Sequence, residues 1–366
     1  MRASIVVFFV QVALAASVSV AAQAVTENEA PRSATVKITP IGAKTGEYCD
    51  RDRALLFEDP TGVRILYDPG VTVAGGTDPR LGDVHAILVS HNHFDHLGYQ
   101  KLTQNPDDPD STCGAPQTVR TGNTNTAESA AAKNSAVLVD GNMASFLAVK
   151  IANVVGALTP ACYGSSIEGP GPNETVIPRS SPCTAALAFG STRTVTRAAG
   201  NPGVRINVVS AEHSDSLFNP PLLFTSPLGD YMQENGLHGY DGFAAGFVLT
   251  FTNGLKVYLT GDTGPTADMA LIVRDLYHAN LAVANMDGVN TMGPEEAAYA
   301  MKRLVRVSVV IPSHASQAVT TNGQVDPNTR TAEFIRLLGD TPAYLPLSGR
   351  TMEFDRHARC IAGCGN

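Results

Sequence analysis

Ser90-His91-Asn92-His93-Phe94-Asp95-His96-Leu97-Gly98 sets three histidines and an aspartate within six residues, in the order H-x-H-x-D-H. The stretch follows directly on Val84-His85-Ala86-Ile87-Leu88-Val89, an apolar run that reads as a buried strand. A strand ending in a turn dense with imidazole and carboxylate is the layout of a metal site. The plain alternative, a polar turn rich in histidine, has to account for a pattern that chance seldom supplies. In extended backbone, side chains two apart project the same way, so His91 and His93 can grip one ion while Asp95 and His96, past the turn, face a second. Four ligands cannot enclose two ions, so the remainder must come from His or Asp at the ends of later strands.

The chain of 366 residues has room for one large or two ordinary domains and a full core, and 43% hydrophobic with 16% charged residues is a globular composition. A formal charge of -8 and the lack of any Lys/Arg cluster argue against a polyanion-binding surface, and so against nucleic acid as a partner. Met1-Arg2-Ala3, the apolar residues 5–20 and Ala22-Gln23-Ala24 have the charged start, greasy middle and A-x-A site of a secretory signal. The apolar run is short for a membrane span and leads into polar Thr26-Glu27-Asn28-Glu29 without a basic flank. Residues 1–24 are therefore expected to be a cleaved signal peptide, with an uncleaved anchor as the alternative. Residues 25–33 are expected to form a linker, and the mature protein to be periplasmic or secreted, without membrane attachment. In that compartment the six cysteines read as disulfides, with Cys162 to Cys183 as a candidate local pair.

From residue 34 to 356 the pattern is that of a single domain that opens as a β meander. Ala34-Thr35-Val36-Lys37-Ile38-Thr39-Pro40-Ile41 alternates with period two and Ala54-Leu55-Leu56-Phe57-Glu58 follows. The turn Asp59-Pro60-Thr61-Gly62 then leads into Val63-Arg64-Ile65-Leu66-Tyr67-Asp68. Asp68 can cap a surface turn there or brace the nearby ligand turn. Residues 97–104 are expected to begin a helix, 127–133 and 143–155 read as helices, and 136–139 as a strand. Residues 159–183, rich in Gly, Pro and Ser, suggest a stapled surface insertion, either lid or decoration. Residues 215–240 read as a long loop that could overhang the site, with His238 either exposed or a substrate contact. Strands at 243–251 and 255–259 pair across Asn253-Gly254. Helices at 268–277, 294–304 and 327–338 then alternate with strands at 281–284, 307–311 and 351–354. The tail, 357–366, is expected to fold back over the domain.

Three of these strand ends supply the missing ligands. Val204-Arg205-Ile206-Asn207-Val208-Val209 runs into Ser210-Ala211-Glu212-His213, residues 255–259 run into Thr260-Gly261-Asp262-Thr263-Gly264, and Val307-Ser308-Val309-Val310-Ile311 runs into Pro312-Ser313-His314. A satisfied core histidine is the bland reading of His213 and His314, and an Asx turn that of Asp262. Recurrence of the same layout, apolar strand then ligand, favours metal. His85, inside a strand, His278, near a helix end, and His357, in the tail, fit structural roles. The collected set is His91, His93 and His213 for one ion, Asp95, His96 and His314 for the other, and Asp262 between them. Two ions so placed lower the pKa of a shared water and polarise the group under attack, which makes a hydrolase. Asp95 would bind metal, orient that water and accept its proton. Zinc is the default for such donors, with manganese or iron also compatible.

The H-x-H-x-D-H motif, then His213, then Gly261-Asp262-Thr263, then His314 resemble, in identity and order, the ligand set of the metallo-β-lactamase superfamily, over residues 36–353 with insertions. The resemblance implies an α/β fold, a four-layer αββα sandwich, with the site at one edge of two facing sheets; Asp68, by its strand-end position, and Thr263, beside Asp262, are the candidates for residues that support the ligands. Gly261-Asp262-Thr263-Gly264 with Asp268-Met269-Ala270-Leu271-Ile272, Thr291-Met292-Gly293-Pro294-Glu295-Glu296-Ala297, Ala211-Glu212-His213-Ser214 and Ala245-Gly246-Phe247 is similar to one branch of that superfamily. It is the branch of L-ascorbate-6-phosphate lactonase and uncharacterised metal-dependent hydrolases. The secretory start, the cysteine-bearing insertion and the long loop before Tyr240 depart from it. The implied activity is hydrolysis of a small-molecule lactone or ester. The alternatives are phosphodiester or β-lactam hydrolysis, or a non-catalytic metal-binding scaffold.

Overall fold

A computed structural model describes residues 34–102, 113, 118–120, 122–162, 174–176, 180–214, 216–217, 230–231, 234–235, 239–240 and 242–365. The signal peptide and linker expected at 1–33, His238, and most of the segments 159–183 and 215–240 lie outside the described residues.

Strands β1 (Val36–Pro40), β2 (Leu55–Glu58) and β3 (Arg64–Tyr67) form the antiparallel meander. After β4 (Ala86–Leu88) the ligand turn itself winds into the single-turn helix α1 (Phe94–Leu97). This corrects the helix expected at 97–104: Gly98 at φ +76° closes the turn by donating to the Phe94 carbonyl, and the chain continues as β5 (Gln100–Leu102), paired with β6 (Thr118–Arg120). Helix α2 (Asn125–Lys133) starts where the Thr124 hydroxyl accepts from Ala127 N, and after β7 (Ala136–Asp140) the Asp140 carboxylate caps α3 (Gly141–Val155) in the same way. There follow β8 (Glu174–Val176), β9 (Cys183–Leu187), β10 (Thr192–Val195), β11 (Val204–Ser210), β12 (Ser216–Leu217), β13 (Gly239–Tyr240), β14 (Ala245–Thr250) and β15 (Lys256–Leu259). Helix α4 (Met269–Arg274), β16 (Leu281–Asn285), helix α5 (Pro294–Tyr299) and β17 (Val309–Ser313) come next. The chain ends with β18 (Thr320–Thr321), β19 (Gln324–Val325), α6 (Arg330–Leu338), β20 (Met352–Phe354) and β21 (Cys360–Ala362).

Two large sheets result, in the orders β21-β20-β1-β2-β3-β4-β7-β9 and β17-β16-β15-β14-β11-β10-β8. Successive strand side chains point to opposite faces, and here both faces are buried. Leu55 and Phe57 face Phe247 and Leu249 in the core between the sheets. Leu56, Ile87 and Val137 face outward onto Ala127, Met143 and Leu147 of α2 and α3, while Val248, Tyr258 and Ala282 face Met269, Val273 and Phe334 of α4 and α6. The layers are therefore helix, sheet, sheet, helix: the αββα sandwich.

Topology brings the ligand-bearing ends to one rim. Strands β11 and β15 both run antiparallel to β14, and β16 and β17 run parallel to β15, so the C-terminal ends of all four lie together. Ala245 N donates to Ser90 O at 2.8 Å and ties the second sheet to the turn after β4. The described cysteines form three disulfides, Cys49–Cys113, Cys162–Cys183 and Cys360–Cys364. Phe247 is fully buried between the sheets, edge-on to Tyr67 at 6.4 Å between ring centroids. Phe247→Ala should lower the free energy of unfolding by about 3–5 kcal/mol in urea titrations; a loss under about 1 kcal/mol would show that the sheets do not meet there.

Candidate metal centre

Each ligand position is set by a strand that stops. His93 has extended dihedrals and starts α1, whose one turn lifts Asp95 and His96 away from His91 and His93. His213 stands just beyond β11, Asp262 beyond β15 and His314 beyond β17. Two backbone features make this possible. Gly261 has φ +61°, and a Cβ there would lie 2.5 Å from the Ala245 carbonyl oxygen, so only glycine lets the Asp262 turn approach the neighbouring strand. His314 itself has φ +54°, a conformation that costs energy for a residue with a Cβ and that recurs at functional sites.

The seven side chains named from the sequence converge in two groups. Ligand atoms of His91, His93, His213 and Asp262 lie within 4.8 Å of one another, and so do those of Asp95, His96 and His314. In the first group His91 Nε2 is 2.9 Å from His93 Nδ1, which is 3.3 Å from His213 Nε2. Asp262 Oδ2 lies 3.8 Å from His91 Nε2 and 3.7 Å from His213 Nε2. The same oxygen lies 3.4 Å from His96 Nε2 and 2.9 Å from His314 Nε2 in the second group, where Asp95 Oδ2 is 3.8 and 3.5 Å from those nitrogens. Asp262 Oδ2 thus faces both groups at once.

The donor chemistry fits divalent cations. His96 Nδ1 is 2.7 Å from Asp68 Oδ2, and an ionised carboxylate only accepts, so Nδ1 donates and a neutral ring presents the Nε2 lone pair. That Nε2 is buried and makes no hydrogen bond, yet it faces the carboxylates of Asp262 and Asp95. Lone pairs opposed in this way are reconciled by a cation, or by a proton at the cost of a charged ring. Histidine and carboxylate donors with a carboxylate behind the ring are the set that zinc and similar metals take.

Around the ligands lies a layer of support. Asp68, buried at φ +40°, also accepts from Ser90 N and Ser90 Oγ, both at 2.8 Å, so it braces the ligand turn rather than capping a surface loop. Thr263 holds two ligand loops together: its hydroxyl accepts from Glu212 N at 2.9 Å, next to His213. Two residues escaped the sequence reading. Arg53 is buried and donates to Asp95 Oδ2 through Nε at 3.2 Å, with Nη2 at 3.1 Å; a cation just ahead of an apolar strand gives little hint of this. Asp287 accepts on Oδ1 from the backbone of Val289, Asn290 and Thr291, and its Oδ2 lies 3.4 Å from His314 Nδ1. It stands just past β16, where the strand-end rule would have found it.

Burial pushes His91 and His213 down and His93 to about 4. Burial also opposes charge on His96 and His314, but carboxylates outweigh it: Asp262 and Asp68 hold His96 well above its ordinary value, and Asp262 and Asp287 raise His314 to about 10. Burial favours neutral Asp95 and Asp262 too, and their histidine neighbours overcome it, keeping both carboxyls well below the usual range. The signs give a pH prediction. Without metal, the stability due to His314 is complete below its unfolded value of about 6.5 and fades as pH rises through about 10. Ligation requires the neutral ring, so zinc binding at pH 8 should release about one proton or more per chain, measured calorimetrically in buffers of different ionisation enthalpy. Zero net release would contradict this charge state.

Two facing sheets carry paired histidine and carboxylate clusters at their rim, the donor set of a metal-dependent protein, and the relatives of the chain are hydrolases. No family model matches the chain. Among curated proteins it is 30% identical over 261 residues to a UPF0173 metal-dependent hydrolase of Cupriavidus necator, covering 70% of this chain and 68% of that protein. A UPF0173 metal-dependent hydrolase of Polynucleobacter asymbioticus is 26% identical over 307 residues, 81% of this chain and 82% of that one. The chain belongs to the UPF0173 metal-dependent hydrolase family. Among solved structures, a metallo hydrolase of Ignicoccus hospitalis is 19% identical with a TM-score of 0.49, covering 88% of this chain and 99% of that one. The metallo-beta-lactamase fold protein YhfI of Bacillus subtilis is 11% identical at 0.49, covering 87% and 100%.

Proposed function

We propose that this chain is a periplasmic or secreted two-metal hydrolase of small-molecule lactones or esters. The observation that carries the two-metal reading is the placement of Asp262 Oδ2 within 4 Å of His91, His96, His213 and His314 nitrogens. His91, His93 and His213 would hold one cation, Asp95, His96 and His314 the other, with Asp262 shared. When bound, such a pair of cations acidifies water and polarises the carbonyl under attack. The residues supply the rest. Arg53 fixes the Asp95 carboxylate, which remains ionised and takes up the proton of the attacking water. Asp68 and Asp287 set the ring orientations of His96 and His314. A cavity of about 390 Å³ opens onto His93, Asp95, His213, Asp262 and His314, a size suited to a small ligand. Zinc is the first metal to load, with manganese and iron as the alternatives.

Metal-loaded protein should turn over a lactone or an aryl ester faster than a bis-phosphodiester or a β-lactam. Asp262→Ala should lose at least one ion by elemental analysis and nearly all of that activity. Turnover of none of these classes with zinc, manganese or iron would leave a metal-binding scaffold, and two ions retained in Asp262→Ala would remove that carboxylate from between them. Three disulfides support export. N-terminal sequencing of periplasmic or secreted protein should begin at Val25; recovery from the cytosol with Met1 intact would contradict export.

A further inference from the structure

The cavity over the ligands has one permanently charged cation among its described lining residues, and it stands outside both ligand groups. Arg51 shares the wall with Phe94, Ser214, Asn290 and Ser316. Its guanidinium lies over the Phe94 ring, Cζ 5.4 Å from the centroid, and its Nε pairs with Asp50 at 3.4 Å. That pair engages Nε, which leaves the two terminal nitrogens of the planar fork to a ligand, and the side chain is 37% exposed. The only carboxylates among the described lining residues are Asp95 and Asp262, both within the ligand groups.

The backbone that presents Arg51 is held from both sides. Cys49 is joined to Cys113, and Asp50 N donates to Cys113 O at 3.2 Å. Two residues on, buried Arg53 is clamped to Asp95 Oδ2 and to the Asp50 and Asp52 carbonyls. One short pinned segment therefore sets a ligand carboxylate with one arginine and faces the cavity with the other. A cation so placed is pre-organised for a second anchoring point on whatever reacts at the floor.

We propose that Arg51 determines specificity: the substrate is a small lactone or ester that carries an anionic group, a carboxylate or a phosphate, gripped by the Arg51 fork while the scissile carbonyl lies over the histidine cluster. This rests on the hydrolase reading above. Guanidinium matches either anion with two parallel hydrogen bonds, and a neutral analogue would forgo them.

The test compares metal-loaded wild type, Arg51→Met and Arg51→Lys on phenyl pentanoate, monophenyl glutarate and the phosphonate counterpart of the latter, which share a leaving group and differ in charge. Wild type should prefer a charged ester, and the charged-to-neutral ratio of kcat/KM should fall about tenfold or more in Arg51→Met, mainly through KM, with partial recovery in Arg51→Lys. Comparison of the carboxylate and phosphonate arms identifies the anion. An unchanged ratio in Arg51→Met overturns the proposal. If no ester is hydrolysed, calorimetric binding of glutarate against butyrate to the same proteins separates the two failures. A glutarate preference that Arg51→Met abolishes upholds the anion site and rejects ester hydrolysis, and no preference rejects the site.

Discussion

The buried carboxylate of Asp262 is the constraint to which the rest of the site answers. An ionised group at the junction of two sheets is tolerable only if opposite charge compensates it; His96 and His314, both held in the charged form, lie 3.4 and 2.9 Å from its Oδ2, and the nitrogens of His91 and His213 also lie within 4 Å. They come from three chain segments, and the sandwich is what delivers them: parallel and alternate strands end at one rim, and the ligands stand in the short segments that follow those strand ends. Local strain at Asp68 and His314, both at positive φ, is the accompanying cost, sustained by the packed layers behind.

Much of this was legible in the sequence because both signals are local. Strands buried on two faces read as plain apolar runs, and a ligand directly after such a run needs no knowledge of partners. What escaped depends on distance in space. Arg53 precedes the charged-to-apolar switch at β2 and meets Asp95 only after folding, 42 residues away. Asp287 stands just past β16 and was within reach of the same strand-end rule. The helix expected at 97–104 fails for a local reason: helix-compatible residues there lie beyond Gly98, whose left-handed backbone ends the turn that Phe94 begins. The layer order itself came from family resemblance, since a β/α rhythm does not say which faces pair.

Support and selection share one segment. The meander brings residues 49–53 beside the ligand turn, where Arg53 neutralises part of the charge on Asp95 and Arg51 faces the cavity. A disulfide from Cys49 fixes the far side of the segment, so the geometry of the ligand and that of the cavity wall depend on the same short length of chain. In an oxidising compartment, that staple persists.

Anomalous diffraction from zinc- or manganese-loaded crystals tests the central claim most directly. The expected result is two peaks about 3.5–4 Å apart with the Asp262 carboxylate between them. A single peak, or peaks that do not both touch Asp262, would contradict it.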